Sequence, residues 1–209
     1  MATMRTTGDD SFNITGACRV ICSAIGKQVP ELTHLDVQRI GFSVSQTRRR
    51  THYGIYASLT PLRFKDGAAT QWRRNSEVAI QQVLDEQGRE LLYLLTLYLP
   101  RFMDIPFDEK LITIFHELWH ISPRFDGDIR RHEGRCYAHT SSKAAFDRQM
   151  KILAERWLAI TPDRHCTDFL RLNFRELQNQ HGRVVGTRYL KPKLIPVRRQ
   201  AGFSQQGSG

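Results

Sequence analysis

The sequence predicts an α+β domain built on a small, twisted, mixed sheet. Three observations carry this. Two segments alternate in β fashion, Asp36–Ser45 and Tyr53–Phe64. A strongly apolar run, Glu90–Leu99, ends at Pro100. Two segments with helical periodicity follow, around Pro106–Ser122 and Ser141–Ala159. Successive strands without a helix between each pair indicate α+β rather than α/β.

Each element has a local reason. Ile14, Ala17, Cys18, Ile21, Cys22 and Ile25 recur at the spacing of one helix face, and Gly26 marks its end. In Asp36–Ser45, Val37, Ile40, Phe42 and Val44 line a strand with a bulge near Gly41. Lys65–Asn75 reads as a loop, and Glu77–Leu84 as a short helix or one arm of a hairpin turning at Gln87-Gly88. Leu and Tyr dominate Glu90–Leu99, which reads as a buried strand. Asp108 is the expected N-cap of the next helix, and Glu109 suits the positive end of its dipole. Pro123 forces that helix to end near Ile121 or Ser122. Phe146, Met150, Leu153 and Trp157 line one face of the second helix. Trp72 and Trp157 read as core. After Asp168 the pattern turns at Gln180–Gly182, which predicts a C-terminal hairpin.

The chain of 209 residues therefore divides into a polar, disordered stretch 1–12, a main domain 13–167, a basic hairpin or extension 168–200, and a disordered tail 201–209. The longest apolar run is too short to span a bilayer, and the first residues lack the apolar core of a secretory signal. The expectation is a soluble, cytoplasmic protein without a membrane partner. Cys18, Cys22, Cys136 and Cys166 form no CxxC pair, which argues against a zinc ribbon. The net charge of +10 is concentrated at the end of the chain. No acidic residue follows Glu176, whereas Arg183, Arg188, Lys191, Lys193, Arg198 and Arg199 do. Such a segment suits a polyanionic partner, with nucleic acid as the expectation. The turn Arg48-Arg49-Arg50 is a second, weaker candidate for phosphate contact.

The chemistry lies in His116-Glu117-Leu118-Trp119-His120. Histidines four apart on a helix put both imidazoles on one face, one turn apart, within reach of one Zn2+. Glu117 then stands beside the metal as general base for a zinc-activated water. Zinc needs a third protein ligand and an open fourth position. His132 is preferred for the third position, with His139 and Asp126 as alternatives and Glu133 chemically suitable. His139 and Tyr137 are candidates to stabilise a developing oxyanion, as is Arg135. Arg130 and Arg131 lie close enough to bind a substrate carboxylate or a nucleic-acid backbone, or to pair with Asp126 or Asp128.

The run from His116 to Ile121, followed by Gly127, Arg130 and His132, resembles the phage-type metallopeptidase domains. It is also similar to the wider SprT/Spartan-like group of zincins. There the motif is followed by His-Gly and an aromatic residue, for which His132-Glu133-Gly134 and Tyr137 are the counterparts. The resemblance covers about Leu91 to Trp157. It implies a minimal zincin fold: a small sheet, the motif-bearing helix, and a following helix that presents the third ligand. It also implies peptide-bond hydrolysis on a substrate paired with an edge strand. Members of that group cleave proteins attached to DNA, many with a C-terminal zinc ribbon that this chain lacks. The function expected is a zinc metallopeptidase acting on a protein or peptide, including proteins associated with nucleic acid. The alternatives are a catalytically silent scaffold that binds nucleic acid, against which the intact Glu117 argues, and a zinc hydrolase of a non-peptide bond.

Overall fold

The computed structural model describes residues 11–47, 54–131, 143–161 and 165–197. A short strand, β1 (Ser11–Asn13), leads into helix α1 (Ile14–Gln28). Asn13 caps it by accepting the Gly16 N–H at 2.9 Å, which satisfies one free donor of the first turn. Ile14, Cys18, Ile21, Cys22 and Ile25 are all buried along one face. Cys18 and Cys22 remain free thiols.

Strands β2 (Ile40–Gln46) and β3 (Ala57–Pro61) follow, then a hairpin of β4 (Thr70–Arg73) and β5 (Ser76–Ile80), and then β6 (Tyr93–Leu99). The central sheet has the order β2-β6-β3. β2 runs parallel to β6, and β3 runs antiparallel to it, so the sheet is mixed. β6 is central and covered on both faces. Tyr93, Leu95, Leu97 and Leu99 join the main core, while Leu94 joins a second cluster with Leu62 and Leu91. Burial on both faces explains its nearly unbroken apolar sequence.

Helix α2 (Phe107–Trp119) carries the histidine motif, and α3 (Lys143–Ile160) packs against it. Leu111, Ile114, Phe115 and Leu118 of α2 meet Phe146, Met150, Leu153 and Trp157 of α3 in the main core. The N-cap of α2 is Pro106, not Asp108. Proline favours extended backbone at the cap, so the helix begins two residues earlier than expected and Asp108 lies in its first turn, where its charge still suits the dipole. Lys110 is buried on α2 and donates 2.8 Å bonds to the Leu170 and Leu172 carbonyls. Desolvation holds its ammonium below the usual range, at about 8.

The C-terminal hairpin is not observed. Helix α4 (Phe174–His181) occupies the segment before the turn, and two separate strands follow, β7 (Arg183–Val185) and β8 (Leu194–Pro196). β7 pairs with β1, and β8 adds to the hairpin in the order β4-β5-β8. These pairings attach 168–197 to both ends of the fold rather than leaving it as an extension. The physical reason lies in long-range partners that no local pattern announces. Residues 70–73, expected as loop, form β4, and 77–84 supplies its partner β5 rather than a helix. Trp72, expected in the core, is 62% exposed on that hairpin, whereas Trp157 is buried. No described helix is long and apolar enough to cross a membrane.

Candidate active site

Helix α2 forms one wall of a cleft of about 880 Å³. Glu109, Ile112, Thr113, His116 and Glu117 line it, a spacing that places them along one side of the helix. The approach to β3, Gly54–Ala57, forms the opposite rim, and Asp147 and Lys151 of α3 close one end.

His116 and His120 stand side by side, their ring centroids 4.8 Å apart. Phe146 of α3 wedges against both, edge-on to His116 at 4.8 Å and stacked on His120 at 5.9 Å. The two imidazoles therefore have fixed surroundings on their core side. On α3, Asp147 places a carboxylate oxygen 3.7 Å from His116 Nδ1. That distance is an electrostatic contact rather than a hydrogen bond. Asp147 carries no sequence signal of its own. It reaches the site only because α3 packs Phe146 on the histidine pair.

Glu117 is 8% exposed. Burial pushes its carboxyl up to about 7, opposed by a hydrogen bond from the Leu59 backbone N–H. That bond follows from the sheet. Tyr98 N–H bonds the Tyr56 carbonyl, and Leu62 N–H bonds the Leu92 carbonyl. Even-numbered residues of β3 therefore face β6. Ala57, Leu59 and Pro61 point their backbone groups off the sheet edge. The edge donor at Leu59 is the one Glu117 accepts.

Beyond α2 the chain makes a loop and returns. Ile121 and Ile129 form an antiparallel bridge, and the Arg130 N–H bonds the His120 carbonyl at 2.7 Å. Asp128 holds the loop shut by accepting from the Asp66 N–H and from Arg131, each at 2.9 Å. The Gly127 N–H donates to the Tyr93 hydroxyl, which donates to the Asp128 carbonyl. Gly127 has φ +87, and a Cβ there would lie 2.5 Å from Arg63, so both the turn and the close approach require glycine. Arg130 stacks on Trp119, with its guanidinium carbon 4.2 Å from the ring centroid.

Asp126 is engaged elsewhere: Arg124 donates to it at 2.8 Å, and it accepts the Asp128 N–H. His132, Glu133, Arg135, Tyr137 and His139 lie outside the described residues, as does the Arg48–Arg50 turn. The chain approaches His120 at Arg130, two positions before His132. Among the described residues no group of three or more His, Cys, Asp or Glu is placed to hold a metal ion. No family model matches the chain, and no curated protein or solved structure does.

Proposed function

We propose that the chain is a zinc-dependent metallopeptidase in which Glu117 is the general base. The observation that carries this reading is the placement of Glu117. It is a buried carboxyl at the wall of a cleft, next in the chain to His116, whose ring stands 4.8 Å from that of His120, and it is bonded to the outward N–H of a sheet edge. The donor set fits zinc in chemistry, with His116 and His120 as two ligands. His132 is the proposed third, two residues beyond the point where Arg130 bonds His120. Zinc, when bound, supplies Lewis acidity and lowers the pKa of water.

The remaining roles fall to the chain's own groups. Glu117 takes a proton on its carboxylate and returns it to the leaving amine, and burial keeps its basicity high enough for both transfers. Leu59 N–H holds the carboxylate in place. The Ala57 N–H and the outward carbonyls of β3 suit an extended peptide, which supports a peptide substrate over other hydrolysable bonds. His139 and Tyr137 stand as proposed oxyanion donors, and the sheet with its motif helix is read as zincin-like.

The test is zinc content by metal analysis together with cleavage of an unfolded protein such as casein. The expected result is about one zinc per chain and cleavage abolished in Glu117→Gln with zinc retained. Zinc retained with no Glu117-dependent cleavage of casein or of a peptide library would sink the peptidase reading.

A further inference from the structure

A second cavity, of about 420 Å³, lies on the β2 side of the central sheet and shares no lining residue with the cleft. Its walls include the first turns of α1, Phe42 of β2, the turn 85–89 and the segment 187–189 that covers the β2 edge. Local bonds fix these walls. Thr187 N–H bonds Thr15 Oγ1 at 3.1 Å, and Tyr189 N–H bonds Ser43 Oγ at 3.0 Å. The Tyr189 ring is seated over Gly41, where a Cβ would lie 3.1 Å from its Cε2. In the turn, Asp85 accepts from the Gln87 N–H, the Arg89 N–H and Arg89 Nε. Arg89 also donates to Gln38 and Gln87, which uses its guanidinium on both sides. Asn13 accepts the Gly16 N–H, so the chain itself supplies the α1 cap.

Three polar side chains of the cavity are left over. Arg19 is half-buried, with its guanidinium carbon 5.0 Å from the Phe42 ring centroid. It donates one bond, from Nη1 to the Val37 carbonyl at 3.1 Å, out of the five N–H donors a guanidinium carries. Among the described residues no carboxylate pairs with it. Glu86 is exposed and its carboxylate has no ion pair or hydrogen bond among the described residues. The half-buried Tyr189 hydroxyl has no hydrogen-bond partner among them either. Burial pushes that phenol up, Arg19 opposes the shift, and Asp85 and Glu86 add to it, so all three charges act on one ring. The lining thus includes two cations, Arg19 and Arg89, and two carboxylates, Asp85 and Glu86. Arg89 and Asp85 neutralise each other at 2.7 Å. One group of each sign remains.

We infer that this cavity binds a free α-amino acid, with the carboxylate on Arg19 and the ammonium at Glu86. A half-buried guanidinium with open donors takes a carboxylate as a charge-assisted partner. Glu86 would repel phosphate or any other pure anion, and Arg19 would repel a lone amine. A small zwitterion meets both groups at once, and the neutral Tyr189 hydroxyl is a further donor for its carboxylate. The volume is at the low end for ligand pockets, which suits a single amino acid better than a peptide chain. The inference is independent of the peptidase reading, because the cavity uses none of the residues in the cleft.

The experiment is saturation-transfer NMR of the full chain against each of the common L-amino acids, followed by calorimetric titration of the strongest. Binding of at least one is expected. Its N-acetyl and its amide derivatives, each lacking one charge, should bind at least about tenfold more weakly. Arg19→Met should weaken binding about tenfold, and Glu86→Gln, on the exposed turn, about threefold. Glu86→Lys should abolish binding, and it keeps the test decisive if Arg19→Met fails to fold. His116→Ala should bind as the parent chain does, which separates this cavity from chelation at the proposed zinc site. No binding of any amino acid, equal affinity in Glu86→Lys and the parent, or loss of binding in His116→Ala would each overturn the inference. Acetate or phosphate binding as tightly as the amino acid would mean an adventitious ion only, and would overturn it as well.

Discussion

The two edges of the central sheet present the same backbone groups and meet opposite fates. On the β2 side, Val44 N–H bonds the Thr187 carbonyl at 2.9 Å, and Tyr189 N–H bonds Ser43 Oγ at 3.0 Å. The segment after β7 therefore covers that edge. On the β3 side Ala57 lines the cleft, and the Leu59 N–H meets the Glu117 carboxyl. An uncovered edge is a liability for pairing with other chains. The β2 edge is closed by the chain itself. The β3 edge faces a helix that carries the two half-buried imidazoles and the buried Glu117 carboxyl, which makes it the side where chemistry is expected.

The largest expected effect comes from Glu117→Gln. Hydrolysis should fall by about three orders of magnitude or more, read as kcat on a peptide substrate. The same substitution should alter stability with a definite sign. In the metal-free chain the Glu117 carboxyl titrates at about 7, above its ordinary 4.5, so folding takes up a proton between those values. Stability linked to this group is full below about pH 4.5 and is lost as pH rises through 7, by on the order of 3 kcal/mol. Metal-free Glu117→Gln should thus be more stable than the parent at pH 8 and nearly equal at pH 4, measured by urea unfolding. A parent chain as stable as the variant at pH 8 would remove burial as the cause of the shift.

Closing the covered edge badly should affect stability and leave chemistry alone. A Cβ on Gly186 would lie 3.0 Å from Val44 Cγ1 and 3.1 Å from Thr15 Cγ2. Gly186→Val should cost about 1–3 kcal/mol by overpacking, with kcat per folded molecule unchanged. On the open edge the pattern should reverse. Leu59 N–H makes no ladder bond, so Leu59→Pro removes the contact to Glu117 while the pairing with β6 survives. Its expected signature is a kcat lowered about tenfold and an acid limb of the pH profile moved upward, since the lost bond favoured the ionised form. An unmoved acid limb would show that the bond does not tune Glu117. The smallest effect is expected at Asp147. It is 3.7 Å from His116 Nδ1 and its side chain is 44% exposed, so Asp147→Asn should weaken zinc binding only about threefold, measured by competition with a chelator.

How much of this was legible in the sequence differs by element. The motif helix was legible because its signals are local: apolar periodicity, acidic residues in the first turn, and Pro123 beyond its end. The buried faces of α1 and α3 were legible for the same reason. Strand β6 was legible by its composition, which burial on both faces explains. Strand β4 was not, because Thr70-Gln71-Trp72-Arg73 has no apolar alternation and is held by its pairing with β5. Helix α4 carries a local signal of its own, the reciprocal capping box of Asn173 and Glu176. Strands β7 and β8 have three residues each and pair with strands far away in the chain, so no local pattern marks them. In the site, the histidine pair and Glu117 followed from spacing alone. The Leu59 donor and Asp147 did not, because the first depends on strand register and the second on how α3 packs.

The proposed chemistry depends on a zinc site on α2 at His116 and His120. The most direct measurement is anomalous diffraction at the zinc absorption edge, on crystals of the full chain grown with one equivalent of zinc. The expected result is a single strong peak about 2.0–2.1 Å from a ring nitrogen of each histidine, lost in His116→Ala and in His120→Ala. A zinc peak elsewhere, or none at these rings with the metal present, would contradict it.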